Sequence, residues 1–368
     1  MNILIVFSQP WAVGGAETHV TDLVKGLDEQ GHKVFLAVHA NESPQLRGVV
    51  QEQFILNFRS KNPLEYIKLV KQLAAIVQDY NIDVLHAHQR TSGYVAAYVK
   101  YLTKIPFLVT IHDPWNRAYA KKMHAKIYDN IITVSEFLRQ RFIHEFDFSP
   151  HMVHTIYNGV NQDTYDISKY QPEQLGRLRK EFEIKENKKV ISLIARLYRS
   201  KGQQYLIEAA SEIVKVLPNV KFLLAGDGPH EALLKKQAQN LGVLEYFIFA
   251  GYRQDIPEII ALSDIVVRPS EMEGLPINVI EAMLMTKPVV ASNISGVPEM
   301  IDHGINGYMI QVGDVKGLSQ ILIQALLDEE KCKRIGQAAR KTALEKFTID
   351  ACVEKTIGVY LDVIKKSD

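Results

Sequence analysis

The stretch RPSEMEGLPINVIEAMLMTKPVVASNISGVPE, from Arg268 to Glu299, decides the fold, because it reads as a loop, a short helix, a buried strand and a second loop. Gly274 permits a tight turn and Pro276 suits the first turn of a helix. Val279, Ile280, Met283 and Leu284 recur at helical spacing and supply its buried face. Glu273 therefore falls in the loop and Glu281 on the helix. Were every step between them helical, the two carboxylates would differ by roughly 80° in direction and about 12 Å along the axis. That is wider than the roughly 5–9.5 Å of a glycosidase acid and base. The spacing suits gripping two ends of one long polar ligand, at the positive end of a helix dipole where phosphate is welcome.

These residues resemble the signature of the family 4 retaining glycosyltransferases, which have the two-domain GT-B fold. The match is Glu273, seven residues, Glu281, then Ala282 and Met283, and later Pro288, Val289 and Val290. The resemblance implies that Glu281 holds the ribose hydroxyls of a nucleotide sugar and Glu273 the sugar near its reacting carbon, with Gly274, Leu275, Pro276 and Ile277 forming the donor loop. The chain departs from the family pattern at three places. Pro276 stands where the family often has glycine and has no N–H to offer, which leaves Ile277 and Asn278 as backbone donors. Thr286 stands where a glycine is usual before Lys287-Pro288, and Ser295 where one is usual before Gly296-Val297-Pro298-Glu299.

Upstream of this stretch, Ile265–Val267, Phe247–Ala250, Phe222–Ala225 and Val190–Ile194 are short apolar strands separated by loops and amphipathic helices, which predicts a parallel sheet. Arg196 and Lys201-Gly202 lie between the end of one strand and the helix Gln203–Leu217, two cations placed to clamp a diphosphate. They resemble the family's Arg and Lys-Gly pair, which implies neutralisation of the leaving diphosphate. Gly226-Asp227-Gly228-Pro229 is a glycine turn at the same sheet edge, and Gly226 is assigned to donor binding. Arg253, just after the strand at Phe247, takes the family position beside the nucleobase.

The first half repeats the alternation. Ile3–Ser8, a loop with Gly14 and Gly15, a helix through Val20, Leu23, Val24 and Leu27 ending at Gly31, and Val34–Val38 open a doubly wound sheet. Gly14 and Gly15 are assigned to the donor site, against the plainer reading of a turn; Gly14-Gly15-Ala16-Glu17 is not a dinucleotide fingerprint, which disfavours NAD. Asn62, Pro63 and Glu65 cap a helix ending near Tyr80, Val84–Ala87 is a strand, Ser92–Leu102 a helix and Phe107–Ile111 a strand. His112 and Asp113 follow at that strand's carboxyl end, where open parallel sheets bind ligands. Thr110–Asp113 resembles the family loop whose histidine faces the reaction centre. His86 and His88 share a side of their strand and read as cleft lining or polar core, with His88 a candidate acceptor contact. The run from Arg117 to Lys126, with Lys121 and Lys122, fits an anionic acceptor or lipid headgroups, or a solvated helix face. Ile131–Val134, a helix capped by Ser135, and Val153–Tyr157 follow, and the polar tract Asn161–Gln174 reads as the link to the second half.

The 368 residues are comfortable for two domains of roughly 180 residues. We divide them into residues 1–165, an acceptor-binding Rossmann-like domain onto which a terminal helix at 350–368 crosses back, and 166–349, a nucleotide-sugar-binding Rossmann-like domain. The GT-B resemblance implies that the two face each other across a cleft. An apolar content of 47% and a net charge of +1 give no footprint of nucleic-acid binding. The two cysteines, Cys332 and Cys352, have no metal-like spacing and fit a reducing cytoplasm. No apolar run approaches the roughly 18 residues of a membrane span, so any membrane contact is expected to be peripheral, at the inner face. No Asp-x-Asp occurs, so neither metal nor cofactor is expected, and the charge of the diphosphate is left to Arg196, Lys201, backbone donors and a helix dipole. The resemblance implies a retaining hexosyltransferase, with a uridine diphosphate sugar as donor and a glycan, lipid-linked or small-molecule hydroxyl as acceptor. Glu273 and His112 are its expected catalytic pair. A sugar phosphorylase, a nucleotide-sugar epimerase and a non-catalytic binding subunit remain as alternatives.

Overall fold

The computed structural model describes residues 1–11, 14–60, 62–115 and 127–366. The chain divides into two compact units, Met1–Gly159 with Ile349–Asp368, and Val160–Thr348. In the first unit β1 (Asn2–Pro10), α1 (Gly15–Glu29), β2 (Lys33–His39), β3 (Glu52–Leu56), α2 (Pro63–Asp79), β4 (Val84–His88), α3 (Gln89–Thr103), β5 (Phe107–Ile111), β6 (Ile131–Thr133), α4 (Glu136–Phe146) and β7 (Val153–Thr155) follow in order. The second unit holds α5 (Pro172–Glu181), β8 (Lys189–Ile194), α6 (Gln203–Val216), β9 (Val220–Ala225), α7 (Glu231–Asn240), β10 (Phe247–Gly251), α8 (Ile256–Leu262), β11 (Ile265–Arg268), α9 (Ile277–Leu284), β12 (Val289–Ser292), β13 (Tyr308–Ile310), α10 (Val315–Leu327) and α11 (Glu329–Lys346). A terminal helix, α12 (Ile349–Lys365), belongs to the first unit.

Both sheets are parallel, ordered β3-β2-β1-β4-β5-β6-β7 and β10-β9-β8-β11-β12-β13. In each, the strand order reverses beside the first strand, so the loops after β1 and β4, and after β8 and β11, open at the point where such sheets bind ligands. The strands are near-continuous apolar runs because both faces are covered. Ile3, Ile5 and Phe7 face one core, which α1 and α12 complete with Leu23, Val353 and Tyr360. Leu4 and Val6 face another, with Leu73 of α2, Val95 of α3 and Phe142 of α4. In the second unit Leu193 and Leu224 pack with Leu206 of α6 and Leu318 of α10.

The caps at Asn62 and Ser135 are present: Asn62 Oδ1 accepts from the Leu64 N–H at 2.9 Å and Ser135 Oγ from the Leu138 N–H at 3.3 Å. Residues 160–165, placed by sequence with the first half, pack with the second unit. Val160 donates its N–H to Phe347 at 3.0 Å and pairs with Thr348, and Tyr165 is buried there. The polar tract beyond it is ordered locally, and α5 begins inside it at Pro172. Both substituted glycine positions keep a left-handed backbone, with φ 58° at Thr286 and 48° at Ser295. Thr286 directly follows the last residue of the α9 cap, where a left-handed residue closes a helix.

Four histidines form a network in the first unit, His19, His86 and His88 buried and His112 partly exposed. His86 meets the Tyr360 hydroxyl of α12 through Nδ1 at 2.6 Å and Thr110 Oγ1 through Nε2 at 2.7 Å. His88 Nδ1 lies 3.1 Å from His112 Nε2, and the ring of His19, on α1, is 5.0 Å from that of His112. Burial, with help from the neighbouring imidazoles, pushes His86 and His112 down to about 3 and His19 and His88 well below the usual histidine range.

In the unfolded chain these rings take up protons near pH 6.5, roughly. The unfolded state thus binds more protons below that pH, and stability falls as pH falls from about 6.5 towards the folded values, by up to about 1.4 kcal/mol per pH unit for each ring. Asp22, pushed up to about 6 by burial, works in the opposite sense, one group against four. Urea unfolding is expected to show a marked loss of stability between about pH 7 and pH 5; a flat profile would contradict neutral burial of the four rings. Separately, Thr286→Gly relieves the left-handed strain and is expected to raise the unfolding free energy by roughly 0.5–1 kcal/mol in the same assay.

Candidate functional site

In the second unit the site grows from the end of β8. The Ile194 carbonyl accepts two side-chain donors, Arg268 Nη1 at 3.0 Å and Asn278 Nδ2 at 2.7 Å, so the ends of β8 and β11 and the start of α9 are pinned to one oxygen. Beyond it, Arg196 is exposed, with its guanidinium 5.5 Å from the Tyr198 ring, and its carbonyl accepts from the buried Gln203 side chain at 3.0 Å. Lys201 closes the loop. Gly202 follows at φ 79°, where an added Cβ would lie 1.9 Å from the Pro269 carbonyl oxygen, so only glycine brings the two loops together. Gly226 is held as closely, since a Cβ there would meet the Ala195 carbonyl oxygen at 2.0 Å.

Glu273 is buried at 6% exposure, and two cations surround it. Arg268, at the end of β11, reaches Oε1 with Nε at 2.9 Å and Nη2 at 2.7 Å. Lys201 Nζ is 3.1 Å from one oxygen and 3.2 Å from the other. Burial alone would raise the carboxyl's pKa; the charges of Arg268 and Lys201, with side-chain hydrogen bonds to the carboxylate, outweigh it and hold Glu273 below the usual carboxylate range, ionised at neutral pH. The following loop is bonded to the Val-Pro-Glu turn, with the Gly296 N–H donating to the Gly274 carbonyl at 3.1 Å. Leu275 and Ile277 are buried, and Pro276 is the N-cap of α9, one position before the first turn where sequence placed it. Glu281, in the second turn of α9, accepts from the Tyr165 hydroxyl at 2.7 Å. Arg340 of α11 steadies that contact, bonding the Leu284 carbonyl at the end of α9 and pairing with Asp166 at 3.4 Å.

The structure thus brings Lys201 and Glu273 together and surrounds them with the elements that carry Arg196, Gly226 and Glu281. The Arg253 side chain is otherwise engaged: it spans Asp255 and Glu181, lies over the Phe182 ring at 5.1 Å and fastens α5 to the loop after β10.

In the first unit Gly14 is the N-cap of α1, in extended conformation, and its carbonyl accepts from the Thr18 N–H at 3.0 Å, so the pair starts the helix and does not form a separate turn. His112 is partly exposed at the end of β5. His88, expected to touch the acceptor, is fully buried; β4 is covered on both faces, so its ring points into the network and holds His112. Arg117, Lys121 and Lys122 lie outside the described residues. Among the described residues, His19, His88 and His112 form a group able to hold a metal ion, with one nitrogen of each within 4.8 Å of the others.

Sequence reasoning missed Arg268, Tyr165 and His19. Arg268 carried a signal, because a charge ending the apolar strand Ile265–Val267 must find a buried partner. No helix among the described residues is long and apolar enough to cross a membrane.

Residues 176–342 match the family Glycosyl transferases group 1, and residues 13–164 match Glycosyltransferase Family 4. The N-acetyl-alpha-D-glucosaminyl L-malate synthase of Bacillus anthracis is 27% identical over 96% of this chain and 95% of its own. A glycosyltransferase from Rickettsia africae superposes with a TM-score of 0.86 at 25% identity, covering 99% of both chains. HepE of Anabaena, solved with UDP-glucose, shares the fold with a TM-score of 0.87 at 23% identity, over 98% of this chain and 99% of its own. The paired parallel sheets are those of the GT-B fold, each half of the chain carries its own family match, and the chain belongs to glycosyltransferase family 4.

Proposed function

We propose that this chain transfers a hexose from a UDP-sugar to a hydroxyl of a glycan, lipid-linked or small-molecule acceptor, with retention of configuration and without a metal, on the cytoplasmic side. The observation that carries the reading is the buried Lys201–Glu273–Arg268 cluster beside Arg196 at the switch point of the second sheet. Arg268 and Lys201 against the Glu273 carboxylate leave a net positive charge, and Arg196 stands on the same loop after β8 as Lys201, an arrangement suited to a diphosphate leaving group. Arg196 and Lys201 meet the diphosphate oxygens, joined by the N–H groups of Ile277 and Asn278 at the start of α9. Glu281 takes the ribose hydroxyls. Arg268 has a different task, since it keeps Glu273 ionised and fixed in direction.

As the bond from the anomeric carbon to the phosphate oxygen breaks, positive charge develops on the sugar, and the Glu273 carboxylate stabilises it. The acceptor oxygen bonds to that carbon on the face the diphosphate leaves, and its proton passes to the departing phosphate oxygen. His112 hydrogen-bonds the sugar. Because burial keeps it neutral, it does so without repelling the developing charge. Gly14 and Gly15 contribute the α1 N-terminus as a further donor contact.

Thermal unfolding with UDP, GDP and ADP, each in EDTA, tests the donor site. UDP at about 100 times its dissociation constant is expected to stabilise by roughly 2.7 kcal/mol, a shift of several degrees. No shift with any of the three would overturn the nucleotide site, and a UDP shift that EDTA abolishes would overturn metal independence. Glu281→Gln is expected to weaken UDP binding by about 10-fold or more. Glu273→Gln should retain the UDP shift yet lower UDP release from UDP-hexoses by roughly 100-fold or more; full turnover in that variant would remove Glu273 from the mechanism.

A further inference from the structure

The first unit carries an apolar groove that the proposed chemistry does not use. It runs between α2 and α3, has a volume of about 680 Å³, and is lined by Tyr66 and Ile67 from one helix and Tyr94, Tyr98, Tyr101 and Leu102 from the other. Helical spacing produces it. Residues 66, 67 and 70 share one face of α2, residues 94, 98, 101 and 102 share one face of α3, and the two faces meet at the Tyr66–Tyr98 contact, 5.9 Å between ring centroids. The side chains are too large to close over one another and stay open to solvent, with Tyr101 76% exposed, Tyr98 55% and Ile67 52%. Leu64, on the flank of α2, is 74% exposed. An apolar patch of this kind marks an interaction surface.

Its rim is basic. Lys71 lines the groove, Lys68 is exposed one turn earlier on the same flank, and Lys104 lies over the Tyr101 ring at 5.3 Å. No acidic residue occurs on α3, and those of α2 lie away from the groove. Glu65 projects about 120° around the helix from Lys71 and about 60° from Lys68, on the side of Lys68 turned from the groove, and Asp79 is the last residue of α2. A second copy of this chain is a poor occupant, because it would set two lysine rims against each other. The fitting partner combines apolar chains with negative headgroups, and tyrosines between an apolar floor and a cationic edge suit the boundary of a bilayer.

We infer that the α2–α3 groove docks the protein on an anionic phospholipid surface, with acyl chains against the tyrosines and headgroup phosphates on Lys68, Lys71 and Lys104. The inference does not depend on the donor reading.

The test is sedimentation of the full chain with vesicles of phosphatidylcholine, with and without phosphatidylglycerol, at low and high salt. Binding to the phosphatidylglycerol vesicles that weakens with salt is expected. Lys71→Glu/Lys104→Glu should reduce it by about 30-fold or more, and Tyr98→Ser/Tyr101→Ser by roughly tenfold. Both double variants should keep the wild-type unfolding temperature and UDP shift, since the altered residues are exposed. Absence of binding, equal salt-insensitive binding to phosphatidylcholine alone, or undiminished binding by the tyrosine variant would each overturn the inference. So would a concentration-dependent dimer, lost in that variant, without vesicle binding.

Discussion

The carboxylate of Glu273 and the two cations around it are the constraint on which the second unit's ligand edge is built. A charge buried to this degree costs several kcal/mol unless opposite charge and hydrogen bonds compensate it. Arg268 supplies both, and in the same geometry spends its remaining nitrogen on the Ile194 carbonyl. One guanidinium therefore joins the loop before α9 to the end of β8, and Asn278 adds a second strut to the same oxygen. The residues proposed to hold the sugar, the diphosphate and the ribose are set by this frame before any ligand arrives, which spares the reaction the work of assembling them.

The dependence extends to the second carboxylate. Glu281 is oriented by a tyrosine from the segment that enters the unit, and Arg340 holds that segment and the end of α9 together. Local backbone strain is tolerated in the same region. Thr286 and Ser295 occupy left-handed conformations that glycine adopts with less steric strain.

Much of this was legible in the sequence because ligand residues in doubly wound sheets follow directly after strands, and strands buried on both faces are unmistakable apolar runs. The positions of Arg196, Lys201 and His112 in loops after strands were readable that way, while Glu273 was singled out by its spacing from Glu281. The losses have equally local causes. Edge strand β3 escaped notice, since Glu52–Leu56 is short and polar at one end. Tyr165 was hidden in a polar tract whose fold depends on contacts far along the chain. His19 sits inside an amphipathic helix, where periodicity marks it as core and says nothing of the other three rings. Of the two readings of His88, polar core holds and acceptor contact does not, because alternation distinguishes inside from outside only when one face of a strand is wet, and β4 has no wet face.

The terminal helix has a consequence for how the molecule is made. The second unit, Val160–Thr348, is contiguous, whereas the first is completed only by Ile349 onward. Until α12 emerges, His86 lacks its tyrosine partner and the core beside β1 lacks Val353 and Tyr360. During vectorial synthesis the half made first is therefore finished last: the nascent amino-terminal sheet waits with one apolar face uncovered while the later unit closes on itself. In this chain the final helix decides when the earliest strands become native.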